Sequence, residues 1–212
     1  MPSLILDTST DHCLIGLSKN HSLIASSIVC HGHNLSRSLL PSIYQLALES
    51  KISLKELSKI SVGIGPGSYT GTRVAVAVAE SLALSLSIPL YSFCSLLAFL
   101  PPELPQGPFA FISNTKHSSW FLLKGYFEDG AVKSPYSHHI LSPQDTLPFL
   151  KDIPHLLSFS DDELDQKIPD SLSQGTRFFT AEPHFTSLIT HLAEIEKLPP
   201  KKPEIIYIHQ FQ

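Results

Sequence analysis

Asp7-Thr8-Ser9-Thr10 follows a short apolar run, Leu4-Ile5-Leu6. A carboxylate and hydroxyls at the end of a first strand could hold nucleotide phosphate, or a cation through water. Such a loop works when a glycine lets backbone N–H groups face the phosphate. Ser9 stands in that place and no lysine is near. Asp7, Thr8 and Ser9 are therefore weak cofactor-binding candidates, set against the plainer reading that Asp7 and Thr8 cap a turn. A second stretch, Gly65-Pro66-Gly67-Ser68-Tyr69-Thr70-Gly71-Thr72-Arg73, is dense in glycine. It carries no Gly-Lys-Ser/Thr, so it is not a Walker A loop, and no Gly-x-Ser-x-Gly nucleophile elbow. It reads as a rigid turn in which Ser68 or Thr70 caps the following helix. Arg73 falls in the first turn of that helix, where the dipole disfavours a cation, so it reads either as paired with an acidic or carbonyl partner or as simply solvated. His31-Gly32-His33 offers two of the three or four ligands that a zinc site needs, and is read as a strand end and helix entry. His138-His139 is read as a surface turn. No nameable Ser/His/Asp arrangement supports a protease, and neither a catalytic residue nor a metal site is expected.

These residues need elements to position them. Three strand-like runs open the chain, Ser3 to Asp7, Cys13 to Ser18 and Leu23 to Cys30, separated by short polar turns that predict an antiparallel meander. Leu35 to Glu49 has apolar residues at 35, 39, 40, 43, 46 and 47, a helical stripe. Pro41 inside it predicts a start near Ser38 or a bend. Strand 60–64 leads through the glycine turn to a helix from Gly71 to about Ser87. One row of that helix, Gly71, Ala75, Ala79, Ala83 and Ser87, is small throughout. The neighbouring row, Val74, Val78, Leu82 and Leu86, is apolar. Residues four apart share a face, and a helix apolar nearly all round is buried on more than one side. It is either a central core helix or half core and half subunit interface. Pro89 to Phe93 is a further strand. Pro101 to Pro108 reads as a boundary between lobes 1–100 and 101–212. The second lobe reads as an eroded copy of the first. Its strands are Phe109 to Ser113, Ser119 to Phe127, a weaker third and His155 to Phe159. Its helices are a short one at Pro143 and a longer one from His184 to Lys197.

Composition narrows the function. The chain has 212 residues, a formal charge of -4, a pI of about 6.2 and 42% hydrophobic residues. Its mean hydropathy is +0.11. With three arginines, Arg37, Arg73 and Arg177, it lacks the clustered cations that grip nucleic acid unaided. Lys197, Lys201 and Lys202 lie among prolines and are expected to be solvated. No run of about 20 apolar residues predicts a membrane span. Cys13, Cys30 and Cys94 have no metal spacing and suggest buried thiols in a reducing compartment. The N-terminus lacks a basic, then long apolar, leader pattern, and a cytoplasmic setting is expected.

Leu4-Ile5-Leu6-Asp7-Thr8-Ser9-Thr10, His33-Asn34-Leu35-Ser36-Arg37-Ser38-Leu39-Leu40-Pro41 and the Gly65 to Arg73 stretch resemble the TsaB family, formerly YeaZ. The resemblance covers residues 1–100 well. In the second lobe it rests on outline, on the strand with Trp120 and on Pro203-Glu204-Ile205-Ile206-Tyr207. It implies a two-lobed α/β fold of the actin/Hsp70/sugar-kinase type with a reduced second lobe. It also implies a non-catalytic subunit that docks and activates the catalytic subunit TsaD together with the ATPase TsaE. That machinery attaches threonylcarbamoyl to adenosine 37 of tRNA, which this chain would touch only indirectly. Pairing in the family uses two helices, here Leu35–Glu49 and Gly71–Ser87. The implied interface residues are Leu39, Ile43, Arg73, Ala75, Val78, Ala79, Leu82 and Ala83. No tightly bound cofactor is implied, and ATP only at the junction of the complex. Where relatives carry Asp-Ala-Arg, this chain has Asn114-Thr115-Lys116, so no functional residue is carried onto the second lobe. Two other readings stay open: a small ATP-dependent kinase or ATPase of the same fold, and a scaffold that forms a homodimer through the same helices when alone.

Overall fold

The computed structural model describes residues 1–30, 34–114, 119–159 and 176–206. The expected meander forms: β1 (Pro2–Asp7), β2 (His12–Lys19) and β3 (Ser22–Cys30) are antiparallel neighbours. On the other side of β1, β4 (Ile60–Gly63) and then β5 (Leu90–Phe93) add in parallel. The strand order is β3-β2-β1-β4-β5. In the second sheet β6 (Gly107–Asn114), β7 (Trp120–Glu128) and β8 (Ala131–Leu141) repeat the meander. Next to β6, β9 (His155–Ser158) and β10 (Arg177–Thr180) pair in parallel, giving β10-β9-β6-β7-β8. Numbered within its own lobe, each sheet runs third, second, first, fourth, fifth. The two hairpins correspond as well. Asn20 and His21 turn β2 into β3 with φ of 51 and 59°, and Asp129 and Gly130 turn β7 into β8 with φ of 53 and 75°. Paired positive φ values fit the twist of flanking strands. This is the duplicated two-lobed α/β arrangement expected from the sequence.

Alternation decides what each sheet face touches. Leu4 and Leu6 of β1 join one cluster with Ile15, Ile60 and Val62, covered by α1 (Leu35–Glu49) and α2 (Tyr69–Leu86). Ile5 points the other way. It joins Leu14, the 3-10 turn Ser95–Phe99 and the second sheet's Phe109, Phe111, Phe121 and Leu123. That cluster spans both lobes and is completed by α4 (Phe185–Ile195), whose Phe185, Leu188, Ile189 and Leu192 are buried. Behind the second sheet, Trp120, Leu122 and Ala110 pack in a third cluster with Leu150 of α3 (Pro143–Leu150).

Two expectations need correction. α1 does not start near Ser38 but runs from Leu35, with Pro41 inside it. Pro41 lies on its exposed side, where water can serve the carbonyl that the missing N–H leaves. His138 and His139 are not a surface turn: they sit in β8 opposite Leu123 and Leu122. His138 stacks on Phe121 with centroids 5.7 Å apart, and His139 meets Phe149 at 5.3 Å. β10 had no clear signal, because Arg177-Phe178-Phe179-Thr180 is short and mostly exposed.

An occluded turn and an exposed helix face

Asp7, Thr8 and Ser9 are buried at the carboxyl end of β1. Asp7 Oδ1 accepts from the Ser9 N–H at 2.8 Å and from the Ser9 hydroxyl at 2.7 Å, so the carboxylate caps its own turn. Its Oδ2 is buried beside the Ser95 hydroxyl without hydrogen-bond geometry to any described group. Burial raises the Asp7 pKa, opposed in part by Ser95, by the Ser9 N–H and by the Ser9 hydroxyl. The same burial pushes the thiols of Cys13 and Cys94 up to about 11 and about 12, with the Asp7 charge adding to it. Such thiols stay protonated and act as small apolar groups.

The glycine turn closes over this end of β1. The Ser68 N–H donates to the Ser9 carbonyl, and the Thr8 hydroxyl donates to the Gly71 carbonyl at 2.7 Å. A Cβ on Gly67 would collide with the Ser9 carbonyl, and one on Gly71 with the Thr8 carbonyl. Only glycine allows this approach. The glycines therefore let the backbone of residues 67–71 pack directly against the Thr8 and Ser9 carbonyls. Ser68 is the N-cap of α2, its Oγ accepting from the Gly71 N–H at 3.1 Å. Arg73 places its guanidinium 3.7 Å from the centroid of the Tyr69 ring, a cation–π contact on the first turn.

A cleft of about 1070 Å³ lies beyond this turn, between the two lobes. Ser9, Thr10, Tyr69, Asn114 and Glu182 are among its walls. Its described lining includes the carboxylates of Asp11 and Glu182 and, among the described residues, no lysine or arginine. A strap near the C-terminal end of the described chain runs along its edge. The Ile206 N–H donates to the Ile64 carbonyl at 2.8 Å. Gly65, at φ 92°, lets the Ile206 carbonyl approach where a Cβ would stand 2.9 Å from it. On the strap's other side a cavity of about 760 Å³ is lined by Ser92, His138, Ile140 and Lys202. Ile205 and Ile206 line both spaces, so the strap divides the interlobe opening. Among the described residues no group of three or more His, Cys, Asp or Glu could hold a metal ion. His31, His33, Thr115, Lys116 and Tyr207 lie outside the described residues.

The helix pair behaves differently. The small row of α2 points inward: Ala75 and Ala79 have no exposed surface, and Ala83 is buried beside them. On α1, Leu39 and Ile43 are buried in the same cluster. Five of the eight implied interface residues thus lie in the chain's own core, and a side chain without exposed surface cannot touch a partner while the helices keep this packing. Val78 and Leu82 lie between core and surface, and Arg73 is exposed. The accessible apolar residues are others. Leu40, Tyr44 and Leu48 follow one another at four-residue steps on α1 and are 38, 58 and 74% exposed. Leu84 on α2 is 84% exposed. The spacing of 40, 44 and 48 was visible in the sequence, but Leu40 was assigned to the core stripe and the row it begins was missed.

Comparison with known proteins agrees with this architecture. A family model of TsaD, the tRNA N6-adenosine threonylcarbamoyltransferase, matches residues 30–129. None of the curated proteins compared matches the chain. Among solved structures, YeaZ from Pseudomonas aeruginosa superposes with a TM-score of 0.76 at 20% identity, over 92% of this chain and 92% of that one. An uncharacterized protein with similarity to peptidase YeaZ from Pseudomonas aeruginosa gives 0.80 at 20% identity, over 98% and 99%. The fold of this chain is the YeaZ fold over nearly its whole length. No helix among the described residues is long and apolar enough to cross a membrane.

Proposed function

We propose that this chain is a TsaB/YeaZ-type subunit of the machinery that makes threonylcarbamoyladenosine in tRNA, and that it works by docking a TsaD-like catalytic subunit rather than by catalysis. The TsaD family match and the YeaZ fold together support the family and the pathway. The observation that carries the docking role is the exposed row Leu40, Tyr44 and Leu48 on α1, beside an α2 whose Val74, Val78 and Leu82 are only partly covered. Two helices side by side with apolar outer faces suit a helix pair from a partner, by ridges packing into grooves. The turn filled by Gly67 and Ser68 supports a chain without its own nucleotide chemistry. ATP and a TsaE-like ATPase then belong to the assembled complex, and tRNA is held by the partners, since this chain is acidic overall.

Size-exclusion chromatography of the chain with the TsaD-like protein of the same genome tests this. A 1:1 peak is expected, active on tRNA once TsaE, ATP and threonylcarbamoyl-adenylate are added. Tyr44→Glu and Leu48→Glu leave the fold within about 0.5 kcal/mol of wild type, as exposed sites do. They should weaken docking by about 30-fold, the scale of a 2 kcal/mol hot spot. Unchanged association of both variants would remove the helix face from the interface. No association of the wild type, even with ATP, would remove the docking role.

A further inference from the structure

The cavity of about 760 Å³ on the far side of the strap has walls unlike the rest of this acidic chain. Its size falls within the range of about 300–1,000 Å³ that holds small organic ligands. One wall is β8. His138 lies opposite Leu123 and Ile140 opposite Phe121, so both side chains share the face that carries the interlobe cluster. His139 turns to the opposite face, where it meets Phe149. The His138 ring lies flat on Phe121, with 13° between the planes, which fixes the direction of its edge nitrogens. The floor is apolar: Phe93 belongs to the interlobe cluster, and Ile140 and Ile206 pack against it. The remaining wall is the chain entering the strap, with Lys201 and Lys202. Pro199, Pro200 and Pro203 flank these lysines and restrict their backbone, and the Ile206 hydrogen bond to Ile64 pins the strap beyond them. Among the described lining residues Glu204 is the one carboxylate, set against two ammonium groups and the His138 imidazole.

We infer that this cavity binds a small organic anion, an apolar or aromatic body carrying a carboxylate or phosphate head. The head sits among Lys201, Lys202 and His138, and the body covers Phe93, Ile140 and Ile206. Cations gathered along one wall of a chain with a formal charge of -4 set the local sign, and that sign selects an anion. Lysine offers three rotatable donors from a point charge, which suits either head. The edge of the His138 ring adds a donor in a fixed direction. An inorganic anion alone would leave the apolar floor in contact with water, and a neutral apolar molecule would leave the ammonium groups unused. A molecule with both parts covers both. No residue lining the cavity belongs to α1 or α2, so this inference and the docking role fail independently.

Titration of phenyl phosphate and benzoate into the full chain tests it, followed through the NMR shifts of the Ser92 and Ile140 amides. Saturable shifts are expected, and the tighter of the two anions identifies the head group. Benzylammonium has the same ring and the opposite charge, and inorganic phosphate has the charge without the ring. Each should bind at least about tenfold more weakly. Lys201→Gln combined with Lys202→Gln changes two exposed sites, so the fold should stay intact while phenyl phosphate weakens about tenfold. His138→Phe keeps a ring on Phe121 and should weaken it about fivefold. No saturable shift with either anion would overturn the inference. So would benzylammonium binding as tightly as benzoate, or unchanged affinity in both variants, because the cavity would then be an apolar hollow without charge recognition. Inorganic phosphate binding as tightly as phenyl phosphate would reduce the site to an adventitious ion only and remove the organic ligand.

Discussion

The two lobes share a strand order but divide their apolar residues differently. The second sheet buries Trp120, Phe109, Phe111 and Phe121 almost fully and leaves Tyr126 and Phe178 exposed. The first lobe leaves Leu40, Tyr44, Leu48 and Leu84 on its helices in contact with solvent, and Leu23, Ile24, Ile28 and Val29 on its edge strand. The ends of the equivalent first strands differ too. Asp7 closes β1 with its carboxylate buried and bonded to its own turn, while Asn114 closes β6 half-buried on the interlobe cleft. The two halves thus differ in how their exposed apolar residues are arranged: most of those of the first lobe align along α1 and β3, whereas Tyr126, Phe149, Phe178 and Leu198 of the second lie on separate segments. Scattered exposed apolar residues are ordinary in soluble proteins; their alignment at four-residue steps and along one edge is what marks a surface for contact.

The strongest way to break this division is at Trp120. Trp120→Ala empties a closed pocket and should destabilise the chain by about 3–5 kcal/mol, read from urea denaturation. The fraction still folded should bind the TsaD-like partner normally, and a loss of affinity in that fraction would show that the second lobe also serves contact. The next test is pH. His191 on α4 is buried, and burial lowers its pKa from 6.5 to about 4, against a hydrogen bond with the Val132 backbone and the Glu194 charge. The unfolded chain takes up a proton below 6.5, and the folded one does not until about 4. Its contribution is therefore constant above 6.5 and is lost as pH falls through that window, by about 3 kcal/mol at most. His191→Leu should flatten this slope in denaturation curves between pH 7 and 4 (an experimental range of roughly three pH units), and an unchanged slope would assign it to other groups. The smallest expected effect is Ala79→Leu. With Ala79 inside the core, overpacking should cost about 1–3 kcal/mol of stability. Docking should be intact below the melting transition. A stable variant that no longer docks would return the small row of α2 to the interface.

Much of the architecture was legible because local signals agreed with one another. The three-strand meander, the two hairpin turns, α2 and the Ser68 cap were all marked by alternation, by turn residues or by a capping hydroxyl. The direction of the α2 rows was not legible. Small and apolar rows are equally compatible with core or interface, and only the width left between α2, α1 and the sheet sends the alanines inward. The glycine turn was read as leading into a capped helix, and Ser68 does cap α2, but what the turn encloses depends on the meeting of residues 8–9 with 67–71, a contact between distant segments. Pro41 misled because proline's cost in a helix depends on whether water reaches the freed carbonyl, which the sequence does not state.

The hydrogen bond between Ile206 and Ile64 also has a meaning in time. A chain made from its N-terminus can assemble β1 to β5 long before residues 203–206 exist, and until then the Ile64–Gly65 backbone lacks its cover. The opening between the lobes is partitioned only by the last part of the described chain to be synthesised. Contacts so far apart in sequence form late, since the loop must close before it is rewarded. During synthesis the first lobe therefore passes through a stage in which the Ile64–Gly65 backbone at the start of its glycine turn is uncovered, and the strap is the step that ends it.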